Sequence, residues 1–111
     1  SGPNRNHYPE GSPSIMIEHM VTFCLVHDSG SPEEADFLQT AAGLIAIPGV
    51  RDFKIQRQIS EKHPHPFRIT MTFAAQAEYD RYCEHSLHTT FVHERWLKEV
   101  RDFQEADFVD F

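Results

Sequence analysis

Phe67, Ile69, Met71 and Phe73 alternate with Arg68, Thr70 and Thr72, the cleanest two-residue period in the chain, which predicts a strand with one buried face. The same period runs through Ile15 to Val26. There Ile17, His19, Val21, Phe23 and Leu25 share one side, and Met16, Glu18, Met20, Thr22 and Cys24 take the other. Both sides carry apolar groups, so both call for cover. A third alternating run, Val50 to Ile59, puts Phe53, Ile55 and Ile59 together. Between the first two strands the period changes to that of a helix. Ser31 is placed to cap it, Pro32 suits its first position, and Glu34 completes a capping box. Leu38, Ala41, Ala42 and Ile45 form its apolar stripe, widened by Phe37 and Leu44, and Pro48-Gly49 ends it.

Glu61 to Pro66 (EKHPHP) reads as a loop because of its prolines. A second helix is predicted from Ala75 to about His85, with Ala75, Tyr79, Tyr82 and Cys83 buried and no good capping residue at its start. A further helix from near Thr89 to Val100 would bury Val92, Trp96 and Val100. Phe103 to Phe111 closes the chain as a short strand, with Ala106 and Phe108 on one face. Strand, helix, strand, strand, helix, strand is the order of a ferredoxin-like α+β fold, a four-stranded antiparallel sheet with helices on one face. Residues 1–14 are polar and rich in Pro, Gly and Ser, which predicts a tail before one domain over 15–111. The helix-free face would expose Met16, Met20 and Cys24 together, so a homodimer is expected, with the last strand reaching towards the partner. Arg68, Thr70 and Thr72 make that face partly polar.

The 111 residues suffice for one domain, and a hydrophobic content of 40% with nine phenylalanines supplies a modest core. A formal charge of −7 without a Lys/Arg cluster speaks against nucleic acid or anionic membrane as a partner. No apolar run has the length of a membrane span. Cys24 and Cys83 lie far apart and form no CxxC pair, which suits reduced thiols in a soluble, cytoplasmic protein.

Chemistry concentrates in Tyr82-Cys83-Glu84-His85-Ser86-Leu87-His88, a phenol and two imidazoles at intervals of three. An imidazole titrating near neutrality can move a proton, and a phenol can donate a hydrogen bond to a developing oxyanion. On one unbroken helix the three groups would fan apart, whereas a break near Ser86 would let His88 swing towards Tyr82. The same residues also have plainer readings. Tyr82 can be a core phenol with its hydroxyl satisfied, His88 a helix cap, and His19 a filler at the end of the helix-facing layer. A zinc site built on His85 and His88 with His93 or Glu84 lacks both the HExxH pattern and a thiolate pair, and His63 and His65 lie in a separate loop.

Four stretches in this order resemble the stress-responsive A/B barrel (Dabb) family: Glu18-His19-Met20-Val21-Thr22-Phe23, Ile47-Pro48-Gly49-Val50, Met71-Thr72-Phe73, and Tyr82-x-x-His85-x-x-His88-x-x-Phe91. The resemblance spans Ile15 to about Phe108. It implies a ferredoxin-like subunit that pairs into a dimeric α+β barrel, with a pocket between sheet and helices. Members of the olivetolic acid cyclase type close a polyketide by aldol condensation, and their tyrosine–histidine pair matches Tyr82 and His88, while their first-strand pocket histidine matches His19. The chain departs from them in having Ser86-Leu87 where they have Pro-Ala. The expected site is therefore Tyr82 and His88 as catalytic groups, with His19, Phe23, Phe37 and His85 around a pocket, no metal and no cofactor. The expected function is a cyclase or lyase on a polyketide-like or aromatic compound. The alternatives are a binding or structural dimer without chemistry, and a cofactor-independent monooxygenase of the same fold.

Overall fold

The computed structural model describes residues 15–111; the expected tail lies outside the described residues. Strand β1 (Ile17–Leu25) leads into helix α1 (Pro32–Ala42), which tightens into a 3-10 turn over Gly43–Ala46. Strands β2 (Arg51–Arg57) and β3 (Phe67–Phe73) follow, then helices α2 (Gln76–Glu84) and α3 (Ser86–Phe91). A π turn over Val92–Trp96 joins α3 to the short α4 (Leu97–Glu99), and β4 (Val100–Phe108) completes the sheet. The strand order is β2-β3-β1-β4, every neighbouring pair antiparallel, which is the ferredoxin-like α+β arrangement.

The faces of the central strands follow their periodicity. Ile17, His19, Val21, Phe23 and Leu25 of β1 are buried, as are Phe67, Ile69, Met71 and Phe73 of β3. Ser31 caps α1, its hydroxyl accepting from the Glu34 N–H at 3.1 Å. The Glu34 carboxylate reaches back one residue further than a capping box requires, to the Gly30 N–H at 3.0 Å. Gly49 turns the chain towards β2 with φ of +94°, a conformation that favours glycine, and a Cβ there would meet the Glu78 side chain at 3.3 Å.

Several expected details are corrected. The buried stripe of α1 is Phe37 and Ala41, continued by Leu44, whereas Ala42 is exposed and Ile45 is 60% exposed. The cause is the switch to 3-10 geometry, in which residues three apart eclipse, so Leu44 rather than Ile45 follows Ala41 inward. Strand β2 stops at Arg57, where the loop closes through the Gln58 N–H to Pro66 carbonyl bond, leaving Ile59 98% exposed. In α2 only Tyr82 is deeply buried. Ala75 precedes the helix, and Cys83, one step of about 100° round from Tyr82, faces outward with a free thiol. The third helical segment begins at Ser86, earlier than expected, and buries Phe91 most deeply; Val92 and Trp96 are half-buried, and Val100 already belongs to β4. That strand in turn ends at Phe108, before Phe111.

Below the helices, Phe23, Phe37, Phe91 and Trp96 form an aromatic cluster, with ring centroids 5.0 Å apart for Phe23 and Trp96 and 5.4 Å for Phe37 and Phe91. Arg95 ties this segment to α1 through Asp36, at 2.8 Å, and also binds Glu99. The guanidinium holds the Glu99 carboxyl below its usual range. This packing fixes α3 above the sheet and so fixes the roof of the site.

Candidate functional site

The site is made by a break between two helices. After Glu84 the backbone of His85 turns extended, with φ −65° and ψ 140°, and its Nδ1 accepts from the Leu87 N–H at 3.1 Å, capping α3. His88 thereby enters the first turn of α3 and folds back over Tyr82, ring centroids 4.6 Å apart. Its Nδ1 donates to the Cys83 carbonyl at 3.0 Å. A carbonyl only accepts, so the proton of the neutral ring belongs to Nδ1 and the lone pair to Nε2. Burial holds the His88 pKa below the usual imidazole value. Tyr82 is 3% exposed, and burial pushes its phenol well above the usual range, so it stays a neutral donor.

A second polar group stands on the sheet beneath. In the β1–β4 register His19 lies opposite Asp107. His19 Nδ1 donates to Asp107 Oδ1 at 2.6 Å, and the Tyr79 hydroxyl donates to Oδ2 of the same carboxylate at 2.9 Å. Burial, followed by that hydrogen bond, pushes the Tyr79 phenol upward. With Nδ1 committed, Nε2 is the nitrogen of His19 left for a ligand. The His19 and Tyr82 ring centroids are 6.3 Å apart.

These groups border a cavity of about 240 Å³ between the sheet and the α2–α4 segment. Tyr82, His88 and His19 all line it, together with Glu105, and the Trp96 indole and apolar residues such as Met71, Phe91 and Phe103 make up the rest of its wall. The other residues expected around the pocket are elsewhere. Phe23 and Phe37 are fully buried in the aromatic cluster, behind the cavity wall, and His85 caps α3. Tyr79, Asp107 and Glu105 were absent from the expected set. The parity of β4 holds the signal for two of them, since Phe103, Glu105 and Asp107 lie opposite Phe23, Val21 and His19 on the helix-facing side. Among the described residues no three His, Cys, Asp or Glu side chains are gathered as metal ligands, and no helix is long and apolar enough to cross a membrane.

A different histidine occupies the helix-free face. His65, 2% exposed, folds from the β2–β3 loop beneath the sheet. Its Nε2 donates to Asp102 Oδ2 at 2.7 Å, and its Nδ1 is 2.8 Å from the Thr22 hydroxyl, which donates to it in the neutral ring.

Fold and site together define an α+β domain of ferredoxin-like plan with an apolar cavity under its helices. The family model for the stress responsive A/B barrel domain, Dabb, matches residues 17–110, and the chain belongs to that family. A Dabb family protein with a ferredoxin-like fold from Mesorhizobium loti is 47% identical, with a TM-score of 0.86, the match covering 87% of this chain and 98% of that one. Two more distant structures share the fold. One is a dimeric ferredoxin-like protein of unknown function from Thermobifida fusca, at 15% identity and a TM-score of 0.71 over 94% of this chain and 100% of that one. The other is the hydroxynitrile lyase from Passiflora edulis, at 13% identity and a TM-score of 0.75 over 89% and 96%. None of the curated proteins matches the chain.

Proposed function

We propose that the cavity binds a small carbonyl or phenolic molecule and transfers a proton at it without a cofactor, as a lyase or cyclase acting on an aromatic or polyketide-like compound. The observation that carries this reading is the convergence of Tyr82 and His88 on one cavity, with His88 Nδ1 held by the Cys83 carbonyl. Its Nε2 is then the base, and the neutral imidazole favoured by burial is the form that accepts a proton. In an aldol closure the Tyr82 hydroxyl donates to the carbonyl oxygen as charge develops, an interaction that gains strength where water is excluded. In cyanohydrin cleavage Nε2 takes the hydroxyl proton as the bond to cyanide breaks and the carbonyl forms, and then gives that proton to the departing cyanide. His19, oriented by Asp107, offers a second nitrogen across the cavity. The same fold serves a hydroxynitrile lyase in Passiflora edulis, which supports a lyase as the first class to assay.

The test is turnover of aromatic cyanohydrins and linear β-polyketones by the purified chain and by its Tyr82→Phe, His88→Ala double variant. Turnover by the wild type, reduced at least about 100-fold in a variant with unchanged circular dichroism, is expected. Turnover that survives both substitutions contradicts the reading. Binding without turnover by the wild type replaces it with a non-catalytic binding function.

We further propose that the working form is a homodimer joined through the helix-free face of the sheet, in a soluble, cytoplasmic setting. Met16 and Phe108 are exposed there, beside Met20 and Ala106, whereas Cys24, expected to be exposed with the two methionines, is buried. Covering such side chains is worth roughly 1.5–3 kcal/mol each when burial is complete. Structural neighbours from Thermobifida fusca and Bacteroides fragilis are dimeric proteins of this fold. Sedimentation at low micromolar concentration should give a dimer; a folded monomer would refute the assembly.

A further inference from the structure

We propose that the cavity selects uncharged carbonyl or phenolic ligands and rejects carboxylates, and that Glu105 sets this preference. The inference rests on the reading of the cavity as a ligand site and narrows it to a substrate class. Among the described residues lining the cavity there is no lysine or arginine, and the polar groups are His19, Tyr82, His88, Glu105 and the uncharged indole N–H of Trp96. Glu105 lies opposite Val21 on β4, two residues before the Asp107 that pairs with His19. Any positive charge on His19 is therefore matched by Asp107. His88 is held towards its neutral form by burial, and Tyr82 stays a neutral phenol. The field of Glu105 reaches both, adding to the rise at Tyr82 and opposing the fall at His88. The polar end of the cavity thus presents one carboxylate without a matching cation in the lining. An entering anion would lose water, gain no charged partner and meet a like charge. A ketone or aldehyde meets a hydroxyl donor instead. The volume of about 240 Å³ suits a single ring with a short substituent and lies below the usual range for drug-sized ligands.

Acetophenone and benzoate differ little in shape and by one charge, and they serve as the probes. Their affinities are measured by NMR titration at pH 7 for the wild type, Glu105→Gln, and Glu84→Gln as a control that removes one exposed carboxylate of α2 outside the cavity. Acetophenone is expected to bind the wild type at least about tenfold more tightly than benzoate, the scale of one close charge in partly screened surroundings. In Glu105→Gln the gap should close by a similar factor through tighter benzoate binding, with acetophenone unchanged. Glu84→Gln should keep the wild-type ratio. Equal binding of the two probes by the wild type overturns the selectivity while leaving the ligand site standing. A ratio unmoved in Glu105→Gln, or moved as much in Glu84→Gln, overturns the role of Glu105. If neither probe binds, the ligand site falls and the inference with it.

Discussion

Two histidines donate to aspartates of the same edge strand and end in opposite surroundings. His19, 7% exposed, binds Asp107 on the helix-facing side of β4, and His65 binds Asp102 on the helix-free side. Each pair alone looks like an oriented imidazole awaiting work. The second nitrogen separates them. His65 spends both nitrogens on protein, Asp102 and Thr22, and its ring pins the β2–β3 loop under the sheet. His19 spends Nδ1 on Asp107 and borders a cavity that also holds the rings of Tyr82 and His88. A His–Asp pair therefore says little about function until the partner of the remaining nitrogen and the space beside it are known.

The largest effect that can break this comparison is catalytic. Replacing His88 by Ala should reduce turnover of an accepted substrate by about 100-fold or more, whereas replacing His65 by Ala should leave kcat within about twofold. Loss of turnover in the His65 variant at full folding would erase the distinction.

Stability should divide the sites the other way. His65→Ala leaves the Thr22 hydroxyl and Asp102 without their bonds to the ring and should cost about 1–2 kcal/mol in urea unfolding at fixed protein concentration. His88→Ala removes a half-buried ring bonded to one carbonyl and should cost less. An unchanged unfolding midpoint for the His65 variant would show that the loop does not depend on it.

A smaller effect lies in the pH dependence. Burial lowers the folded pKa of His88 below its unfolded value, so the unfolded chain takes up a proton first as pH falls. The stabilising effect of neutral His88 is complete above the unfolded value of about 6.5 and is lost as pH drops towards the folded value. Turnover that needs neutral His88 should hold on the alkaline side and fall only below the ordinary imidazole range. A plateau ending above pH 7 would place a different group at the base position.

Much of the fold was legible because β1 and β3 carry strict alternation and α1 has an explicit start in Ser31, Pro32 and Glu34. Tyr82 and His88 were legible through their spacing combined with a break at Ser86, and the structure places that break at His85. What was not legible depends on register. Asp107 and Glu105 sit in the predicted last strand, on the face opposite Ala106 and Phe108, but their neighbours appear only once β4 is paired with β1, residue by residue. The 3-10 turn after α1 and the π turn before α4 each shift the helical phase, which is why Ile45 and Val100 are not where an even helical period puts them. Phe23 and Phe37 were expected around the pocket, but which aromatic side chains pack together depends on tertiary contacts; packing against Phe91 and Trp96 sets both behind the cavity wall.

Ligand should enter the cavity under the helices and leave the helix-free face untouched. Imidazole ¹⁵N NMR of the histidine-labelled protein, titrated with acetophenone at pH 7, tests this directly, since Nδ1 and Nε2 of each assigned histidine report separately. The Nε2 signals of His88 and His19 should shift with one saturating curve while both nitrogens of His65 stay still. Movement of His65 without His88, or saturable binding that leaves all three rings unchanged, would contradict this placement.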